Sequence, residues 1–144
     1  MAPGVLADAD AVALALAWLQ GNPTLAGEFG GVSGVMEAPW PRLVVTTGPG
    51  GDLGDMRWNT RQEVTLEVYG DPDGRPGKAA LWRLTMLAAS ALVELADRGD
   101  APAGVPVVSA VDPNGTLAWS PLANGQHRWI VSCFLTLHPP QAMA

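Results

Sequence analysis

Residues 58–70 of the chain, WNTRQEVTLEVYG, decide its fold class. Val64, Leu66 and Val68 occupy alternate positions, and polar or charged residues stand between them. Because successive side chains of a β-strand point to opposite faces of the sheet, this alternation predicts a strand with one apolar and one solvated face. The turn sequence GDPDGRPG follows at 70–77 and leads into a long apolar helix predicted over 78–97. The remaining elements are arranged around this strand, turn and helix.

The last apolar segment, HRWIVSCFLTLHPP at 127–140, predicts a second alternating strand over 126–137. Its other face carries Ile130 and Phe134 beside polar residues and is therefore half apolar as well. This pattern is typical of a central strand whose outer face is partly covered. The residues that share the more apolar face are Trp129, Val131, Cys133, Leu135 and Leu137.

Weaker patterns predict the other elements. The alanine-rich stretch 10–20 favours a helix that ends before Gly21, although the alternation of Leu14, Leu16 and Trp18 leaves a strand open. The other segments, in chain order, are a short edge strand at 31–36, a strand at 42–47, a mobile glycine-rich loop at 48–54, a breaker-rich connection at 99–104, a strand at 105–111, a turn at 112–115 and a ribbon or loop at 116–124.

These elements predict an α+β fold in a single domain over residues 1–144. We expect a twisted, mostly antiparallel sheet of about four or five strands with two helices packed on one face. The strands at 42–47 and 60–69 are expected to be antiparallel neighbours joined by a mobile hairpin loop.

Composition excludes several classes of protein. The length of 144 residues suits one domain, and a hydrophobic content of 48% supports a sizeable core. The formal net charge is −6 and no basic run is present, which disfavours sequence-specific binding of nucleic acid. Cys133 is the single cysteine, and its apolar neighbours indicate a buried, reduced thiol and a cytosolic origin. The apolar run at 11–19 follows Asp8 and Asp10 and is too short to span a bilayer, so no signal peptide or membrane anchor is expected.

The polar residues of the 78–97 helix form one narrow stripe, which consists of Arg83, Ser90, Glu94 and Asp97. The remaining surface is apolar and includes Trp82 and Met86 outside the expected core face. A two-layer fold buries only one side of a helix, so part of this surface is expected to contact the first helix and part another subunit. The alternative is that all of it belongs to the core.

The closest approach to a cofactor motif is the segment DPDGRPGKA at 71–79, which lies between a strand and a helix as a nucleotide-binding P-loop does. The P-loop pattern GxxxxGK[ST] requires glycine where Pro72 stands and a hydroxyl where Ala79 stands. His127 and Cys133 lie too far apart on one strand to share a metal ion. We therefore expect no cofactor and no metal.

Catalytic patterns are also missing from the sequence. No GxSxG nucleophile motif is present, and Glu63 and Glu67 share a strand face but are two pleats apart. The chain is therefore expected not to be an enzyme.

The order and pattern of the elements resemble those of the tail terminator proteins of long-tailed bacteriophages. The resemblance covers nearly the whole chain and rests on the helix near 10–19, the paired strands PRLVVTT and RQEVTLEVYG, the segment GKAALWRLTMLAASALVELA and the strand HRWIVSCFLTLHP. It implies a small α+β subunit that forms a ring, with a hexamer expected, which caps the tail tube, stops its growth and joins it to the head and neck. The glycine-rich loop at 48–54 departs from the family pattern.

The resemblance also implies partners and a location. The expected partners are other copies of the chain, the major tail tube protein and the head-tail connector or neck proteins. DNA would pass through the ring without specific binding, and no membrane is involved. The implied location is the tail or neck of the virion, after assembly in the host bacterial cytoplasm.

Two groups of residues are candidates for these contacts. Arg61, Glu63, Glu67 and Arg128 are expected at a subunit interface or at the lumen, because charges alternate on a face opposite an apolar one. The loop at 48–58 is expected to be disordered in the free subunit and to order against the tail tube or neck. Its candidate residues are Asp52, Leu53, Asp55, Met56, Arg57 and Trp58.

Two other functions stay open at this point. Trp40, Trp58 and Trp119 lie in loops and could line the pocket of a small-molecule enzyme or ligand-binding domain. Within the assembly class, another neck or tail-completion protein fits the same pattern.

Overall fold

The computed structural model describes residues 6, 8–56, 58–97 and 105–140. Its elements are α1 (Ala11–Gln20), α2 (Pro23–Glu28), β1 (Gly31–Ser33), β2 (Arg42–Asp52), β3 (Thr60–Tyr69), α3 (Lys78–Val93), a 3-10 turn (Glu94–Asp97), β4 (Val107–Trp119) and β5 (Arg128–His138). The strands form one five-stranded sheet in the order β1-β2-β3-β5-β4. All neighbours are antiparallel except β1 and β2, which are parallel. The predicted α+β class and mostly antiparallel sheet are confirmed.

Strand β3 lies at the centre of the sheet, and its predicted apolar face is the middle of the core. Val64, Leu66 and Val68 have no exposed surface. They pair with residues of β2 and β5, including Val45 and Cys133, that are also buried. We call this side of the sheet the inner face and the opposite side the outer face.

The helices cover the inner face. Asp10 caps α1 by accepting the N–H of Ala13, so the helix at 10–20 is confirmed and the strand alternative is wrong. The Trp18 indole N–H donates to the Ala91 carbonyl at 2.7 Å and joins α1 to α3. The α3 segment and its 3-10 turn bury the predicted core stripe, which consists of Leu81, Leu84, Ala88, Ala91, Leu92 and Leu95.

The segment Lys78–Asp97 is also long and apolar enough to cross a membrane by length and composition. Its core stripe packs with the inner face of the sheet in one hydrophobic cluster. In this fold it is therefore the core helix.

The prediction of a glycine-rich loop starting at residue 48 is wrong, because β2 continues to Asp52. Gly51 pairs with Gln62, and Asp52 pairs with Arg61, after a register shift beyond Thr47. Gly51 has a φ of +128°, and a Cβ there would lie 2.5 Å from the Arg61 carbonyl oxygen. Glycine is thus what allows the shifted strand to keep pairing with β3.

The predicted turn at 112–115 is also wrong, because β4 runs without a break from Val107 to Trp119. Of the ribbon or loop predicted at 116–124, the part up to Trp119 belongs to this strand. β4 pairs with β5 on both sides of an irregularity between Pro113 and Leu117, and a second irregularity lies between Val108 and Ala110. Because the residues on both sides of it pair with β5, the segment 112–115 forms a bulge within one strand, although its sequence is typical of a turn. The predicted connection at 99–104 lies outside the described residues.

One helix, α2, was not predicted. The Asn22 side chain accepts the N–H groups of Thr24 and Leu25, and Pro23 occupies the first turn. An Asn-Pro pair is a typical helix start, and the sequence interpretation assigned it only to the end of α1. The edge strand predicted at 31–36 is shorter, and it is parallel to β2.

Candidate interaction surfaces

The described residues contain no group of three or more His, Cys, Asp or Glu side chains arranged to hold a metal ion. The His127 Nδ1 atom lies 3.2 Å from the Pro76 carbonyl oxygen, and the His138 Nε2 atom lies 2.8 Å from the Ser109 hydroxyl. Each histidine is thus engaged in a local polar contact.

The turn that resembles a P-loop is closed by its own carboxylate. The Asp71 Oδ1 atom accepts the N–H groups of Asp73 at 2.8 Å and Arg75 at 3.0 Å. A phosphate would need such backbone donors, and here a negative charge already occupies them. The geometry of the turn therefore argues against a phosphate cradle.

The predicted tryptophan pocket is not formed. Trp119 and Trp129 lie beside the C-terminal end of β3, and Trp58 precedes its N-terminal end. A strand of this length spans about 30 Å, so Trp58 and Trp119 cannot line one pocket. Trp119 instead packs edge-on against Trp129, with ring centroids 5.2 Å apart.

Exposed large apolar side chains occur at three places among the described residues. They have between 39% and 71% of their surface exposed. The β1–β2 loop (residues 34–41) carries Val35 and Met36, the hairpin tip (residues 53–59) carries Leu53 and Trp58, and the region between α3 and β4 carries Trp82, Met86 and Leu117. Large apolar side chains that are exposed close to one another mark interaction sites more often than single scattered ones do.

Local hydrogen bonds from two aspartates shape the hairpin tip. The Asp52 carboxylate accepts the Gly54 N–H at 3.1 Å, and the Asp55 carboxylate accepts the Trp58 N–H at 2.7 Å. Leu53 is the most exposed large apolar residue described. The sequence-predicted contact residues Asp52, Leu53, Asp55, Met56 and Trp58 therefore lie together in the structure, whereas Arg57 lies outside the described residues.

A shallow cleft of about 410 Å³ opens between the base of the tip and the segment before α1. Leu53, Met56, Arg61 and Glu63 are among its lining residues. The tip therefore presents both exposed apolar side chains and an adjacent concave surface.

A second surface is the apolar groove between α3 and β4, with a volume of about 340 Å³. We call it the α3–β4 groove, and its apolar lining consists of Met86, Ala89, Val93, Pro113, Leu117 and Val131. The sequence interpretation anticipated the exposed part of α3 but not the contribution of Leu117, because the segment 116–124 was left open between a ribbon and a loop. The alternative in which all the apolar surface of α3 is core is wrong, since Trp82 and Met86 are exposed.

The third surface, the β1–β2 loop, exists because two parallel strands must be joined by a chain that returns to the same end. Arg42, at the start of β2, anchors the loop by donating to the Ser33 hydroxyl at 2.8 Å and to the Glu37 carboxylate at 3.3 Å. Val35 and Met36 lie between these anchors and are exposed. No periodicity in the sequence indicated that this apolar pair would face solvent.

The charged residues predicted on the outer face form two separate clusters. Near one end, the Tyr69 hydroxyl donates to Glu67 at 2.8 Å, and the Arg128 guanidinium lies 5.9 Å from the Tyr69 ring. Burial, opposed by Arg128 and reinforced by Glu67, raises the pKa of Tyr69. The four candidates Arg61, Glu63, Glu67 and Arg128 are therefore on one face but are not one site.

The other outer-face cluster surrounds Phe134. The Arg61 guanidinium lies 4.2 Å from that ring and 3.2 Å from an oxygen of Asp112, and Glu63 accepts the Gly50 N–H at 2.7 Å. Arg61 and Glu63 are thus half-exposed and Asp112 is exposed, and each of them has a partner within the chain.

Between the clusters the outer face is less solvated than predicted. Thr65 and Ser132 are buried, and their hydroxyl oxygens lie 3.4 Å apart. The uncharged middle of the face is therefore closed by neighbouring side chains, although none of the described helices covers it.

Cys133 is fully buried in the inner face of β5. Burial, with a smaller contribution from the charge of Asp112, raises the pKa of its thiol to about 11. A thiol with this pKa is almost entirely protonated at neutral pH and is a poor nucleophile. Cys133 is therefore a structural residue, as the sequence pattern predicted.

No protein family model matches the chain, and no curated protein matches it. Among solved structures, a chain in a structure described as the virion of a native gene transfer agent particle has a similar fold, with a TM-score of 0.65 and 14% sequence identity. The match covers 92% of this chain and 97% of that chain. The two chains therefore share a fold over almost their entire lengths.

Proposed function

We propose that this protein is a structural component of a phage-like virion and acts as a tail terminator rather than as an enzyme. The observation that carries the proposal is the fold shared with a chain of the gene transfer agent virion over nearly the full length of both. The exposed apolar surfaces support it, because an assembly protein needs them and a solitary globular domain does not.

In the proposed assembly, copies of the chain form a ring, with a hexamer expected, at the end of the tail tube. The ring stops growth of the tube and presents its other side to the head-tail connector or neck proteins. The protein is accordingly assigned to the tail or neck of the virion, after assembly in the host bacterial cytoplasm.

We assign the hairpin tip to the contact with the tail tube or neck. Leu53 and Trp58 project from a turn that the Asp52 and Asp55 carboxylates shape. Burial of these side chains against a partner would stabilise the complex, and aromatic residues often dominate such contacts. We expect amide exchange in the tip to slow when tube protein is added, and equal exchange with and without tube would contradict the assignment.

We assign Arg61, Glu63, Glu67 and Arg128 to the lumen or to a subunit contact. The two arginines are already held within the chain, Arg61 by Asp112 and Arg128 by the Ser120 carbonyl and hydroxyl oxygens. The chain as a whole is acidic. An acidic lumen whose arginines are already paired within the chain repels phosphates and allows DNA to pass without specific binding.

A double variant, Glu63→Lys with Glu67→Lys, distinguishes a location in the lumen from a location at a subunit contact. Loss of the ring indicates a subunit contact, and an intact ring with slowed DNA passage indicates the lumen. Asp73→Lys with Asp97→Lys is the matched control, because it makes the same charge change at two exposed carboxylates on a turn and at the end of the helical segment. Unchanged assembly and unchanged DNA passage in the first variant would remove the assignment.

The decisive experiment combines the purified protein with polymerising tail tube protein and follows the products by electron microscopy. We expect rings of the protein alone and tubes that carry a ring at one end and stop growing. The variant Leu53→Ser with Trp58→Ser should keep the ring and lose the cap. Rings that bind neck proteins but leave tube growth unchanged would indicate a different neck or tail-completion component and would overturn the terminator role.

A further inference from the structure

We infer that the β1–β2 loop of one copy inserts into the α3–β4 groove of the next copy, with Val35 and Met36 in the groove and Glu37 against Lys78. The inference deepens the proposed ring and rests on it for the closed geometry. The contact itself is argued from the exposed surfaces of the chain.

The groove has the shape and chemistry of a receptor for small apolar side chains. Met86 and Leu117 stand on its two sides, both about two-fifths exposed, and Val131 is buried beneath them. Nothing in the described part of the chain fills it. An apolar concave surface of this kind favours an apolar partner, because burial removes both surfaces from water.

The β1–β2 loop offers the complementary convex surface. Val35 is 57% exposed and Met36 is 45% exposed, and both lie in a loop that Arg42 anchors at Ser33 and Glu37. The loop is therefore already held in place before it meets a partner, so binding costs less conformational entropy.

The loop and groove of one copy cannot meet each other. The loop follows β1 at one edge of the sheet, and the groove borders β4 at the opposite edge. Four interstrand spacings separate these edges, which is about 19 Å. A second copy of the chain is therefore the partner that can bring a loop to a groove.

Charge fixes the orientation of the contact. Lys78, Trp82 and Met86 are four residues apart on α3 and share one face of the helix. The Lys78 ammonium lies 5.0 Å from the Trp119 ring, and among the described residues no carboxylate is within ion-pair distance of it. Lys78 lies about two helical turns from Met86, beyond the groove lining, so a carboxylate from a neighbouring copy would find there a cation with no carboxylate partner.

Glu37 supplies that carboxylate. It follows Val35 and Met36 directly, its side chain is 59% exposed, and its Oε1 atom alone contacts Arg42. The loop sequence of two apolar residues and an acid thus matches an apolar groove with a lysine beyond it on the same helix. We expect the apolar insertion to carry most of the affinity and the Glu37–Lys78 pair to fix the register.

A contact between two different surfaces is head-to-tail. Such contacts close into a ring when the rotation between copies allows it, and otherwise they form open filaments. The head-to-tail contact therefore predicts that a loop variant and a groove variant, each monomeric alone, bind to each other when mixed. A symmetric dimer would not show this.

The test uses two variants of the full chain, Met86→Glu in the groove and Val35→Glu in the loop. Each should be monomeric, with at least a tenfold weaker self-association than the unmodified protein by light scattering. Mixed together they should form a one-to-one dimer that grows no further, because only one intact loop and one intact groove remain. Ala123→Glu is the matched control, since it places the same charge on an exposed apolar residue between β4 and β5, outside the loop, the groove and the hairpin tip, and should leave self-association unchanged.

Unchanged circular dichroism spectra and melting temperatures show that the variants are folded. The charge pair is tested by Lys78→Glu and Glu37→Lys, each of which should weaken association, and by their combination, which should restore it. Folded variants that stay monomeric when mixed, or that associate as well as the unmodified protein, would overturn the contact. A mixed dimer formed by a protein that does not cap tubes would keep the contact and overturn only the terminator role.

Discussion

The two faces of β3 differ sharply although their residues alternate along one strand. On the inner face Val64, Leu66 and Val68 are completely buried under the helices. On the outer face Glu63 and Glu67 are half-exposed and are held by single hydrogen bonds to neighbours. The inner face therefore determines whether the chain folds, and the outer face is available for contacts after folding.

This difference shows where variation would be tolerated. Burial of apolar surface and close packing dominate the stability of a small domain, whereas partly exposed charges contribute little to it. A change on the inner face should therefore lower stability strongly, and a change on the outer face should leave the chain folded and nearly as stable. Four measurements test this contrast.

The largest effect is expected for Leu66→Ala at the centre of the core. Removal of a fully buried leucine leaves a cavity, so the free energy of unfolding should fall by about 2 to 5 kcal/mol. Urea denaturation followed by circular dichroism measures this value. The adjacent outer-face variant Glu67→Ala is the control and should lose less than about 1 kcal/mol. Similar losses for the two variants would remove the contrast between the faces.

The next effect depends on pH and concerns Cys133. Its thiol has a pKa of about 11 in the folded chain against an ordinary value of 9.0, so the folded state holds the proton more tightly than the unfolded state. The resulting stabilisation is complete below pH 9 and is lost as the pH rises toward 11, and it amounts to about 2 to 3 kcal/mol.

The measurement compares unmodified protein with Cys133→Ala at pH 8 and pH 11. The free energy of unfolding of the unmodified protein, relative to that of Cys133→Ala, should be lower at pH 11 than at pH 8 by about 2 to 3 kcal/mol. All other titrating groups are shared by the two proteins and cancel in this comparison. A difference that does not change with pH would show that the thiol titrates normally.

A smaller effect is expected for Gln62, which joins β3 to α1. Its side chain accepts the Ala11 N–H at 3.0 Å and donates to the Ala9 carbonyl at 2.9 Å. Gln62→Ala removes both hydrogen bonds and should cost about 1 to 2 kcal/mol. Hydrogen exchange of the Ala11 amide should become faster, while the amides of β5 keep their protection. Equal acceleration at both places would indicate global loosening instead.

The smallest effect is expected for the Arg61–Asp112 ion pair on the outer face. The two groups are 3.2 Å apart, with side-chain exposures of 36% and 62%. Exposed pairs of this kind contribute about 0.2 to 1 kcal/mol, and the value should decrease as salt is added. A double-mutant cycle with Arg61→Ala and Asp112→Ala measures the coupling. A coupling above about 2 kcal/mol would mean that the outer face also determines folding.

The parts of the fold that could be predicted from sequence are those whose apolar period is unambiguous. The helix that begins at Lys78 and the strands that contain Leu66 and Leu135 each bury the residues that periodicity indicated. In these segments local pattern and tertiary packing favour the same structure, which is why the pattern suffices.

The errors occurred where pairing overrides local preference. Glycines at 48–51 and the Asp-Pro-Asn-Gly sequence at 112–115 are typical of loops, yet both segments belong to strands because β3 and β5 pair with them. A single sequence does not show which partner strand will lie beside a segment. The Asn-Pro start of α2 was visible in the sequence and was overlooked.

The candidate surfaces were predictable only in part. The exposure of Trp82 and Met86 followed from a helix with more apolar surface than one sheet can cover. The exposure of Val35 and Met36 could not be predicted, because it depends on the parallel pairing of β1 with β2. The sequence of such short strands does not indicate which way they pair. The outer-face charges were placed on the right face but were expected to act as one group.

Strand β4 is long for an edge strand, with 13 residues. A continuous row of free backbone donors and acceptors of that length would attract the edges of other molecules and seed fibrous aggregates. Pro113 has no N–H to offer, and the pairing irregularity beside it divides the row into two shorter stretches. The edge strand thus carries its own protection against precipitation, and replacing Pro113 with valine would be expected to make concentrated samples more prone to form fibrils.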